Sequence, residues 1–159
     1  MNINIRHWRP DDKVDLFHMI VDCLEINYQA GADMEPTFKN ADALLQMGLL
    51  AAGRGEPCLV ADARGIDTPG PIGYTLWCDL PNPLGLDMRG RVLYGLGTYV
   101  MERFQKAGVS TLLRDTAEAM GRNQGFTKVV GVAYHPVGLT TVLKRGYRVA
   151  GQHVEKELV

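Results

Sequence analysis

The amino-acid sequence predicts an α+β fold of the three-layer (α/β) kind, in which one mixed, mostly antiparallel sheet with a bulged central strand is flanked by helices. Two strand-like runs, residues 57–62 and 72–79, are joined by a stretch rich in Gly, Asp and Pro (63–71), the composition of a hairpin connection. A third strand-like run over 92–101 passes through a short turn containing Gly108 into an amphipathic helix over 111–123. Within that third run stand Gly95 and Gly97, which weaken a strand unless a bulge, a tight packing contact or a closely approaching ligand requires them.

The elements follow in order. Residues 2–6 alternate polar and apolar, as a half-buried first strand does. Arg9-Pro10-Asp11-Asp12 opens a helix, because proline suits a first turn and aspartate suits its positive end. Val14, Phe17, Ile20, Val21 and Leu24 form the apolar stripe of that helix. After a loop over 31–36, a second helix spans 40–52, capped by Asn40 and ended by Gly53. The hairpin follows, then a loop over 81–90 leading into the central strand. The helix after that strand carries Val109, Leu112, Leu113, Thr116, Ala117 and Met120 on one stripe and stops at Gly125. A short apolar strand over 127–133, a helix over 136–144 halted by Arg145-Gly146-Tyr147, and a closing strand over 147–158 complete the chain. With no internal repeat or linker, one domain over residues 1–159 is expected.

The bulk composition excludes several classes. Of 159 residues, 46% are apolar and 22% charged, as in an ordinary globular protein. A formal net charge of −1 gives no electrostatic basis for binding nucleic acid or an anionic membrane surface. No apolar run is long enough to span a bilayer, and no basic start precedes an apolar run, so a cytoplasmic protein is expected. Cys23, Cys58 and Cys78 are odd in number, widely spread and without a Cys-x-x-Cys spacing; they read as reduced small apolar residues, with no metal site.

The turn between central strand and helix carries the chemistry. The first N–H groups of a helix lack internal partners and sit at the positive end of its dipole, so an anion, above all a phosphate, fits there. Gly108 lets the backbone approach such a ligand without an intervening side chain. The run Gln105-Lys106-Ala107-Gly108-Val109-Ser110 resembles the Gln/Arg-x-x-Gly-x-Gly/Ala pyrophosphate loop of the GNAT superfamily of N-acetyltransferases, with Ser110 in place of the last Gly or Ala. Val100 and Phe104 stand where that family has a strand-ending valine and an aromatic, and Leu143-Lys-Arg-Gly-Tyr147 is similar to its closing segment.

The resemblance implies a GNAT-like acyl-CoA N-acyltransferase fold, acetyl-CoA as donor cosubstrate, an amine acceptor (small molecule or protein amine) and direct transfer in a ternary complex; it leaves a homodimer open. It implies that Thr98, Tyr99 and Val100 meet the acetyl and pantetheine groups by backbone, and that Gln105, Lys106, Ala107, Gly108, Val109, Ser110 and Thr111 hold the pyrophosphate, with the central bulge opening the slot. His135 stands where the family has an asparagine after its fifth strand, and is a candidate for the cofactor slot and for catalysis. Tyr94 stands where some members carry a base, with Glu102 as a second candidate. His18, Tyr28, Asp33, Glu35, Trp77, Asp79 and Tyr134 are candidate acceptor-side contacts, each equally readable as a packing or surface residue. At the family's tyrosine acid stands Val142, which has no proton to give. That departure keeps a second reading open: a catalytically degenerate domain that serves as a CoA-binding or protein-interaction module.

Overall fold

The computed structural model describes residues 2–64, 70–80 and 90–149. Strand β1 (Asn2–His7) and a 3-10 turn (Pro10–Asp12) lead into helices α1 (Lys13–Gln29) and α2 (Phe38–Gly53). Strands β2 (Cys58–Arg64), β3 (Pro71–Cys78) and β4 (Arg91–Val100) follow, then a 3-10 turn (Glu102–Phe104) and helix α3 (Val109–Asn123). Strand β5 (Phe126–Gly131) and helix α4 (Pro136–Lys144) are the last described elements. The strands lie in the order β1-β2-β3-β4-β5, antiparallel except for the parallel pair β4–β5. That is the mixed, mostly antiparallel sheet expected.

Period-two alternation, shifted in phase by irregularities at Ile72 and Leu96, sorts the sheet residues between two cores. Val60, Tyr74, Leu76 and Cys78 pack beneath Leu16, Met19, Ile20 and Leu24 of α1 and Ala41 and Leu45 of α2. Leu59, Ile72, Trp77, Leu93 and Val100 face Val109, Leu113 and Ala117 of α3. Strand β3, covered on both faces, is buried at every position, which explains its continuous apolar run. Arg6 bridges β1 to the first turn: its guanidinium donates two 2.7 Å bonds to the Asp12 carboxylate and one of 2.7 Å to Asp62 on β2.

Several boundaries differ from expectation. The cap of α2 is Thr37, whose side-chain oxygen accepts from the Asn40 N–H at 3.2 Å. Asn40 therefore lies inside the first turn, where its amide donates to the Glu35 carbonyl. Thr37, with its extended backbone, takes the cap in place of the expected Asn40. Helix α2 runs to Gly53 and ends ahead of Gly55, whose φ of +82° takes the left-handed conformation that glycine tolerates. Val14 and Leu112 are exposed, because Leu16 and Met19 of α1 and Gly121 of α3 occupy the core-facing turns. Helix α3 starts two residues earlier than expected, at Val109. Strand β5 ends at Gly131 instead of 133. Of the closing strand expected over 147–158, residues 147–149 are not in a strand and the rest lie outside the described residues. Most of the expected loop over 81–90 and residues 65–69 of the hairpin turn lie outside them too.

Candidate functional site

The site is built where β4 and β5 part. The two strands pair from Arg91↔Phe126 to Gly95↔Gly131, and the pairing stops there. On the other side of β4, Leu76 of β3 lies opposite Gly97 and Trp77 opposite Gly95, so Leu96 is an extra, bulged residue. Past this point, no strand among the described residues pairs with the second edge of residues 96–100. That edge offers backbone N–H and C=O groups as an added extended ligand would need them. Gly131 and Gly95, the last pair before the strands part, have physical reasons. A Cβ at Gly131 would stand 2.7 Å from the Gly95 carbonyl oxygen. One at Gly95 would stand 3.3 Å from the Trp77 Nε1.

At the C-terminal end of β4 the chain turns through Phe104, which is buried, into the loop before α3. Gln105 turns back and donates from its side-chain amide to the Val100 carbonyl at 3.1 Å, bracing loop to strand. Lys106 (φ +69°) and Gly108 (φ +78°) are both left-handed, and Lys106 is the one described non-glycine residue with positive φ. Such strain on a lysine needs surroundings that hold it. The first helical bond of α3 runs from the Leu112 N–H to the Gly108 carbonyl at 3.0 Å. Among the described residues, the N–H groups of Lys106, Ala107, Gly108, Val109, Ser110 and Thr111 have no hydrogen-bond partner. A Cβ at Gly108 would meet nothing within 4 Å, so the space before the helix is open. Free N–H groups, the dipole of a fifteen-residue helix and open space together suit a phosphate.

The opposite face of β4 looks toward α1. Tyr99 projects there and donates from its hydroxyl to the Asp22 carboxylate of α1 at 3.3 Å. Its phenol is pushed up to about 12, first by burial and then by the neighbouring Asp22 charge. Tyr74 packs beside it, ring centroids 6.3 Å apart, and burial holds that phenol protonated as well. Asn27, one turn beyond Cys23 on α1, donates to the Cys23 sulfur at 3.6 Å. Asp22 was not among the residues singled out from the sequence, for a reason of distance: 77 positions separate it from Tyr99.

The other candidates fall in different places. Tyr94 is half-buried in the paired part of β4, between Cys78 and Val130. The His135 Nδ1 accepts from the Val137 N–H at 3.2 Å and caps α4, so this exposed histidine has a structural role in place. Thr98 shares a 2.9 Å hydroxyl contact with the buried Thr75. Trp77, 3% exposed, is a core residue on the α3 side. Asp79 pairs with Arg91 at 3.0 Å. His18 lines a shallow apolar groove with Lys13, Val14, Phe17 and Leu45. Tyr28, Asp33, Glu35, Glu102 and Tyr134 are exposed. Val142 is half-buried on α4.

No protein-family model and no curated sequence matches the chain. Solved structures do match over its full length. A GCN5-related N-acetyltransferase from Ralstonia eutropha superposes with a TM-score of 0.70 at 18% identity, covering 98% of this chain and 99% of its own. A ribosomal-protein-alanine N-acetyltransferase from Brucella melitensis gives 0.69 at 18%, covering 100% and 99%. An aminoglycoside N-acetyltransferase in complex with CoA gives 0.69 at 16%, covering 99% and 95%. The fold is that of the GNAT N-acetyltransferases. In this GNAT fold the parted strands, the free N–H groups and the Tyr99–Asp22 pair lie along one strand, β4, and the turn that follows it.

Proposed function

We propose that the protein is an acetyl-CoA-dependent N-acetyltransferase, one domain over residues 1–159, working where acetyl-CoA is made, in the cytoplasm. The observation that carries this reading is the run of N–H groups from Lys106 to Thr111 that have no partner among the described residues, set directly after a strand whose edge no described strand covers from Leu96 onward. The N–H groups hold the pyrophosphate, with Gly108 leaving room for it, and Lys106 stands at the same turn. The open edge takes the pantetheine amides as a neighbouring strand would. A backbone N–H beside the bulge faces the thioester oxygen and stabilises the charge that develops on it. The amine attacks directly, with both substrates bound, and much of the acceleration comes from bringing them together. No cysteine suits a covalent acetyl carrier: Cys58 and Cys78 are buried core thiols, and burial pushes the Cys23 thiol up, away from its reactive form.

An amine acceptor fits the charge of the α1 side. Between Lys13 and Lys39 there is no Lys or Arg, while Asp15, Asp22, Glu25, Asp33 and Glu35 are all present. A field of that sign favours a cationic acceptor over a carboxylic one. Val142 favours a second reading, a degenerate domain that binds CoA or a protein without turnover. One experiment separates them. A thermal-shift titration with acetyl-CoA and CoA, with NAD and ATP as controls, is expected to raise Tm with the CoA ligands alone. An amine panel with acetyl-CoA then reads transfer. No shift with any CoA ligand would sink both the enzyme and the CoA-binding module.

A further inference from the structure

We infer that Tyr99 and Asp22 form the proton-accepting pair of the active site, Tyr99 touching the acceptor amine and Asp22 acting through it; this rests on the N-acetyltransferase reading above. Tyr99 stands on the part of β4 that pairs with β3 alone among the described residues, two residues beyond Gly97. Its side chain lies on the α1 face of the sheet, while Val100 and the start of α3 lie on the other. A ligand whose phosphates sit at the α3 N-terminus and whose chain follows the open edge of β4 passes Tyr99 on its way to the bulge at Leu96. Tyr99 is the half-buried phenol three residues from that bulge on the α1 face, and its hydroxyl donates to Asp22 at 3.3 Å. The phenol oxygen keeps lone pairs for an incoming N–H.

The step balances without any further reactant. The amine nitrogen bonds to the acetyl carbon, and the C–S bond breaks. The nitrogen, now acidic, passes one proton to the Tyr99 oxygen as the Tyr99 proton passes to the Asp22 carboxylate. Tyr99 ends unchanged, Asp22 releases its proton to water, and the leaving thiolate takes a proton from water. Asp22 is exposed, so this release is open to solvent. Tyr94 lies in the paired part of β4, and the His135 Nδ1 is engaged in capping α4, so neither is as well placed.

The test uses Tyr99→Phe, Asp22→Asn, Asp22→Glu and the double variant Tyr99→Phe/Asp22→Asn. Each is assayed with acetyl-CoA and the best acceptor among spermidine, butylamine, a lysyl peptide and an alanyl peptide. Each single removal is expected to lower kcat about a hundredfold with the KM for acetyl-CoA unchanged. The double variant should fall no further than the lower single one, because the two residues act as a unit. Asp22→Glu should recover part of the rate. A second readout needs no acetyl-CoA. The groups facing the Tyr99 phenol are Asp22 and Cys23 from α1, Tyr74 from β3 and Glu102 beyond β4. Removing the Asp22 charge should lower the pH at which one phenol ionises, and the change should vanish in the Tyr99→Phe background. Transfer at the unaltered rate in both single variants, or multiplying effects in the double variant, would overturn the pair while leaving the N-acetyltransferase reading intact. Failure of the unaltered protein to acetylate any of the four amines, with the phenol coupling present, would remove the enzyme reading and the proton-transfer role with it.

Discussion

Gly95 and Gly131 meet through backbone alone: a Cβ on Gly131 would stand 2.7 Å from the Gly95 carbonyl oxygen, and beyond this pair β4 and β5 separate. Their contact is the vertex of the opening. Gly131→Ala is therefore expected to push the strands apart at the vertex. Overpacking of this kind costs about 1–3 kcal/mol, and the same shift moves the edge of residues 96–100. Denaturant melts should show the loss of stability, and calorimetry with CoA a weaker affinity. Unchanged stability and affinity would mean that the vertex lies elsewhere.

Gly108 tests the anion site. Its φ of +78° is one that other L-residues adopt at a cost of about 1–2 kcal/mol, while the space before it is empty. Gly108→Ala should lower stability by about that amount and leave CoA binding measurable. Gly108→Glu adds a carboxylate at the proposed pyrophosphate site, and calorimetry should then detect no CoA binding. If the glutamate variant binds CoA as the unaltered protein does, these N–H groups are not the phosphate site.

Gly48 reports on the α2 side of the core. A Cβ there would lie 2.1 Å from a Trp8 ring carbon. Trp8 has little freedom to yield: it is 4% exposed, its indole N–H donates to the Leu59 carbonyl at 3.0 Å, and its ring meets Tyr74 edge-on at 5.6 Å. Gly48→Ala should cost about 1–3 kcal/mol and lower Tm by roughly 2–10 °C. Scanning calorimetry checks this, and a Tm within a degree or so of the unaltered protein would contradict the packing at Trp8.

The fold was legible where pattern alone decides structure. Alternation marked β1, the hairpin composition marked β2 and β3, and Gly95 and Gly97 marked a break in β4. Register was not legible: only the pairing of Leu76 with Gly97 and Trp77 with Gly95 makes Leu96 the bulged residue. The cap was misplaced at Asn40, because a capping residue type inside the first turn looks the same in sequence as one that starts it; the extended backbone at Thr37 decides. The glycine-bearing turn between β4 and α3 could be read because its residues are contiguous. The Tyr99–Asp22 pair could not, since it exists only when α1 lies across β4, and no local spacing encodes that contact.

Two half-exposed phenols give the fold a dependence on alkaline pH. Tyr99 and Tyr147 are each raised to about 12 in the folded chain, by burial first and then by Asp22 and Glu118 respectively. An unfolded tyrosine titrates near ~10. Below that pH both states hold their protons and the contribution is fully present. Between about 10 and 12 the unfolded chain binds fewer protons than the folded one, so stability falls as pH rises. Tyr99→Phe should flatten this fall. Guanidinium melts at a series of pH values across the window, with phenolate absorbance followed alongside, measure it. An identical slope in the variant would mean that Tyr99 ionises normally.

Val142 is where the proposed chemistry lacks a proton donor. The residue is half-buried on α4, and the helix is held by its His135 cap and by the Tyr147 N–H, which donates to the Val142 carbonyl at 3.2 Å. A tyrosine there would enter a helix whose backbone is already fixed, so its hydroxyl would be presented without rebuilding the element. If thiolate departure limits turnover, Val142→Tyr should raise kcat by roughly tenfold or more, with a new alkaline limb in the pH profile as the phenol ionises. The KM for acetyl-CoA should stay close to its original value, because the substitution supplies a proton and not a binding group. A rate that does not move would mean either that water already protonates the thiolate fast enough or that residue 142 does not face the sulfur.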